Sequence, residues 1–104
     1  MGCVIFLTCP KERIAEKVAK DLLKKKLIAC ASVIPKIKSF YWWEGKIERN
    51  SEVLVMMKTE EKLFPLIEKE ILKIHPYKIP EIICFRIEKG FEKYLKWIKE
   101  VVRK

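Results

Sequence analysis

Glutamine is absent from this 104-residue chain, and Asp21, Asn50 and His75 are each the only residue of their type. A single aspartate inside a helical stretch and a single histidine leave no Ser-His-Asp set. Three glycines leave no glycine-rich phosphate loop, so catalysis finds little support in the residues. No apolar run approaches the roughly 18 residues of a membrane span. The opening MGCVIFLTCP has neither a basic leader nor a small-residue cleavage site, which points to a cytoplasmic protein with no membrane partner. Cys3, Cys9, Cys30 and Cys84 each lie in an apolar run, and none forms the Cys-x-x-Cys spacing of a zinc or redox site. They read as buried thiols rather than disulfides.

Charge is abundant. Lys and Arg total 23 against 14 acids, a formal net charge of +9, and half of the residues are hydrophobic. This is the composition of one compact domain, residues 1–104, with material for a modest core. The Lys and Glu bias, with glutamine missing, leans toward a thermophilic source. The positive balance invites a nucleic-acid reading. However, the basic residues are interleaved with Glu in KERIAEKVAKDLLKKK and FEKYLKWIKEVVRK, which describes solvated helix faces.

CVIFLTC, ended by Pro10, reads as a strand. From Lys11 to about Lys26, the positions Ile14, Ala15, Val18, Ala19, Leu22 and Leu23 form one helical stripe. LIACASVIP and KIKSFYWW make a second strand with a bulge at Pro35, Glu44-Gly45 the turn, and KIERNSEVLVMMKT the returning strand. A second helix is expected from about Glu60 to Ile74, capped by Thr59 and striped by Leu63, Phe64, Ile67, Ile71 and Ile74. HPYKIP leads to a fourth strand, EIICFRIE. A third helix follows, with Tyr94, Leu95, Ile98, Val101 and Val102 inward and Trp97 in the core. Arg86 on the fourth strand is expected to pair with Glu88.

The order β-α-β-β-α-β with an additional C-terminal helix specifies an α+β, ferredoxin-like split β-α-β sandwich: an antiparallel sheet with its helices on one face. Yet Val4, Phe6, Leu54, Met56, Ile83 and Phe85 alternate with Ile5, Leu7, Val53, Val55, Ile82 and Cys84, so both faces are apolar. The segment Ile28–Trp43 would extend about 50 Å, against a radius of gyration of about 13 Å for a domain of this size. The hairpin must therefore bend back or project. A projecting two-sided apolar ribbon predicts a homo-oligomer, with Phe40, Tyr41, Trp42 and Trp43 at the interface. Stacking of nucleic-acid bases on these aromatics is the weaker reading, because the sheet centre is aliphatic.

LIACASVIP, SFYWWEGKIERNSEVLVMMKT, IHPYKIPEII and YLKWI, in this order and spacing, resemble the CutA-like divalent-cation tolerance family over essentially the whole chain. The Trp-Glu-Gly-Lys-Ile and His-Pro-Tyr-x-x-Pro-Glu motifs are the specific ones. The resemblance implies a ferredoxin-like subunit in a tight homotrimer akin to the PII signalling proteins, cytoplasmic, not an enzyme, and linked to tolerance of copper and other divalent metal ions. It further implies a copper site built from a cysteine near the end of the first strand, a histidine beside the His-Pro-Tyr motif and the glutamate after the next proline.

Carried onto this chain, those ligands are His75 and Glu81, with Cys9 as the substitute thiol. Leu7 stands where the cysteine would align, and Ile74 replaces the first histidine of a His-His-Pro variant. Thiolate, imidazole and carboxylate together suit copper or zinc. The same residues also read structurally: His75 as a cap or loop anchor, Glu81 as an exposed loop acid and Cys9 as a small buried hydrophobe. The rival function is a PII-like signalling module that binds a small anionic effector between subunits through Lys and Arg.

Overall fold

The computed structural model describes residues 1–104. The elements follow the expected order: β1 (Gly2–Cys9), α1 (Glu12–Lys24), β2 (Cys30–Trp43), β3 (Lys46–Glu60), α2 (Phe64–Ile74), β4 (Ile82–Arg86) and α3 (Glu92–Val101). The four strands form one antiparallel sheet in the order β2-β3-β1-β4, the split β-α-β arrangement.

β1 lies at the centre and its alternation sets the layers. Cys3, Ile5, Leu7 and Cys9 are buried with Val53, Val55 and Met57 of β3 beneath α1 and α2, which contribute Ala15, Val18, Leu22, Ile67 and Ile71. Helix α1 ends because Lys26 turns left-handed (φ 56°). The Leu27 amide then reaches back to the Leu22 carbonyl and the Lys26 amide to Leu23, a Schellman closure.

Thr59 departs from its expected role. It is the penultimate residue of β3, fully buried, and its hydroxyl donates to the Leu27 carbonyl at 2.5 Å. Helix α2 starts four residues later than expected, after a 3-10 turn at Glu61–Leu63, and it has no side-chain cap. Pro65 sits in the first turn, where its missing N–H is not needed.

The β2–β3 hairpin is broken by a register shift between Ile34 and Ile37, with Lys36 left-handed (φ 59°) just after Pro35. Pairing then resumes to the tip, where Glu44 (φ 49°) and Gly45 (φ 79°) form the two-residue turn that matches strand twist. The hairpin projects: the molecule measures 44 × 27 × 22 Å, and every residue from Phe40 to Ser51 is exposed.

Helix α3 corrects two expectations. Tyr94 lies 3.5 Å from Cys30 Sγ, and Cys30 pairs with Lys58, on the sheet face opposite to Ile5 and Met57. The third helix therefore lies against the second face, at one end of the sheet, while α1 and α2 cover the first. Its buried side chains are Ile98 and Val102. Trp97, one residue round the helix from Ile98, is 40% exposed and stacks on Tyr94 at 5.6 Å, so it is not core. Arg86 pairs with Glu61 rather than Glu88, because the start of the 3-10 turn passes beside the end of β4.

Beyond α3 the second face stays uncovered. Ile34, Ile83 and Phe85 on that face are exposed; on the projecting hairpin Phe40, Trp42 and Ile47, on the opposite side of the ribbon by register, are exposed as well, Trp42 to 72%.

Candidate functional site

The loop between α2 and β4 folds over the end of β1 and against the base of the projecting hairpin. His75 is its hinge pin. The backbone leaves helical geometry at this residue, and the buried ring then makes two hydrogen bonds. Nε2–H donates to the Thr8 carbonyl at 2.7 Å, and Nδ1 accepts the Tyr77 amide at 3.2 Å, an arrangement that specifies the neutral Nε2–H tautomer. Thr8 lies just past the last β1–β4 pair, Leu7 with Ile82, so its carbonyl has no strand partner on that side.

Tyr77 packs on His75 at 4.9 Å and donates its phenolic hydrogen to Glu52 Oε2 at 2.8 Å. Burial, then the bond to Glu52 and that carboxylate's charge, push the phenol well above its ordinary range, which keeps it a donor. Asn50 donates to the Tyr41 hydroxyl across the hairpin. Between loop and hairpin lies a cleft of about 730 Å³ bordered by Thr8, Tyr41, Trp43, Glu52, Tyr77 and Glu81, with further walls from the hairpin aromatics and Ile79.

The three residues marked as metal ligands are not gathered here. His75 has both ring nitrogens engaged. Cys9 points into the core under the helices, and burial, with the Glu52 charge added, pushes its thiol up to about 11, which disfavours the thiolate a metal needs. Only Glu81 is exposed at the cleft. No group of three His, Cys, Asp or Glu side chains converges within the chain, so one chain by itself gathers no three-donor metal centre. The aromatics Phe40 to Trp43 do share one ribbon, and all of them border the cleft.

Two residues of the cleft carry no signal in the sequence. Glu52 precedes a buried run in β3 like any surface acid, and the bulge at Pro35 aligns it with Ile37 rather than with the next residue in register. Tyr77 lies inside a quoted motif, but its partner is not deducible from spacing.

Fold and cleft together define a small ferredoxin-like domain with one open sheet face and a ligand-sized cleft at the root of an aromatic hairpin. The family model for the CutA1 divalent ion tolerance protein matches residues 3–101. This chain belongs to that family. A divalent-cation tolerance protein from Pyrococcus horikoshii is 44% identical over 101 residues, covering 97% of this chain and 98% of its own. Human protein CutA is 43% identical over 96 residues, 92% of this chain, but this chain spans only 54% of its length. Among solved structures, the divalent cation tolerance protein of Thermus thermophilus superposes with a TM-score of 0.96 at 34% identity, covering 99% of this chain and all of that one. The Archaeoglobus fulgidus protein, described as periplasmic, gives 0.95 at 43% identity over the same shares.

Proposed function

We propose that this chain is a cytoplasmic, non-catalytic homotrimer that serves tolerance of divalent cations, copper among them. The observation that carries the assembly is the bare second face. Ile34, Ile83 and Phe85 on that face, continued by a projecting hairpin that is aromatic on both sides, are apolar surface that water opposes and sister subunits would cover, with Phe40, Tyr41, Trp42 and Trp43 docked on a neighbour. Four cysteines free of disulfides suit a reducing compartment.

Of His75, Glu81 and Cys9, Glu81 is the donor open to an ion. In this reading a metal binds through Glu81 with groups from elsewhere in the assembly, and His75 and Cys9 hold the fold. Sedimentation at micromolar concentration should show a species of three chains, and a stable monomer would overturn the assembly. A copper titration should lose affinity on Glu81→Ala and keep it on Cys9→Ala; the opposite ranking would restore the thiol as ligand.

A second reading is favoured by the cleft itself: an effector-binding module in the manner of PII proteins. A concave site of about 730 Å³ with convergent polar groups has the size and lining of an organic-ligand pocket.

A further inference from the structure

Glu52 is the feature that neither the fold nor the family reading uses. It is 6% exposed, yet no Lys, Arg or His lies within ion-pair distance of it. Its Oε2 accepts from Tyr77; Oε1 has no hydrogen-bond partner in the chain. No side-chain oxygen is sealed away without a partner, so Oε1 is reached from the cleft that Glu52 lines. A carboxylate oxygen that faces the cleft with no partner and no countercharge from the chain is an acceptor placed for a positive group.

The surroundings select the kind of positive group. The space is many times the ~30 Å³ that one water occupies, which is far more than a bare metal ion needs. Tyr41, Trp43 and Tyr77 line the same cleft, and aromatic π faces attract organic cations. Lys38 and Lys78 also border it, but both are exposed and can extend their ammonium groups into water; the carboxylate has no such freedom. We propose that the cleft binds an organic ammonium ligand, its N–H groups donated to Glu52 Oε1 and its apolar part laid against Tyr41 and Trp43. This inference rests on the effector reading and reverses the sign of the effector which the surplus of lysine suggests.

The test is calorimetric titration of the assembled full-length protein with benzylammonium and with benzoate, an anion of matched shape. Benzylammonium should bind saturably and benzoate should not. Glu52→Gln, which keeps an acceptor for Tyr77, should weaken benzylammonium binding roughly tenfold or more. Tyr41→Leu, at the cleft wall, should weaken it roughly threefold to tenfold in protein that sediments as the parent does, and it serves if the first variant folds poorly. Preferential binding of benzoate would overturn the sign while leaving an effector site in place. Binding of neither probe in the millimolar range would overturn both readings. Unchanged benzylammonium affinity in Glu52→Gln, or dissociation of the oligomer by that change without any ligand binding, would also overturn the proposal, the latter making Glu52 an assembly anchor.

Discussion

His75→Phe separates an imidazole that holds the fold from one that holds a metal. Phenylalanine keeps a planar ring of similar size against Tyr77, at the observed 4.9 Å, but removes both nitrogens. The Thr8 carbonyl, in a nearly dry position past the last β1–β4 pair, then loses the Nε2–H donor at 2.7 Å, a cost of about 1–3 kcal/mol for an unsatisfied buried acceptor. The Tyr77 amide loses Nδ1 at 3.2 Å but is only partly buried, so water replaces much of that bond at a cost below about 1 kcal/mol. The phenyl ring recovers part of the loss through apolar burial, and the expected net destabilisation is about 2 kcal/mol.

Equilibrium urea unfolding measures this, with an unchanged m-value and protein concentration held equal, since the proposed assembly would shift apparent stability. Hydrogen exchange adds a local readout: the Tyr77 amide should exchange faster in the variant. If His75→Phe is as stable as the parent and yet loses copper binding, the ring is a ligand and the clasp on Thr8 and Tyr77 is wrong.

Thr59→Val keeps the shape of a fully buried side chain but strands the Leu27 carbonyl, and it should cost about 1–2 kcal/mol in the same unfolding experiment. Lys25 and Lys73 hold the Glu70 carboxyl down at about 2, below its ordinary 4.5. Because the folded-state value is the depressed one, the stability from this cluster is present above pH 4.5 and is lost as pH falls toward 2; Glu70→Gln should flatten the acid limb of a stability–pH curve in that window. Trp42→Ala removes the most exposed aromatic of the hairpin and should weaken assembly by about 2 kcal/mol or more, seen as dissociation at concentrations where the parent stays associated. Unaltered sedimentation would remove Trp42 from the interface.

Periodicity alone determined the element order, the turn at Glu44-Gly45, the break at Pro35 and the apolar character of both sheet faces, because these follow from local backbone geometry and from which side of a strand each residue occupies. Motif spacing added the family. Tertiary structure decided what local rules do not reach. It turned Thr59 from a helix cap into a buried donor for Leu27, set α3 against the second face with Trp97 outside the core, and gave Arg86 the partner Glu61. It also closed both nitrogens of His75 on the backbone and left Glu52 enclosed without a countercharge. Each of these depends on a contact between residues far apart in sequence, where the identity of the partner, and not the residue's own propensity, determines what the side chain can do.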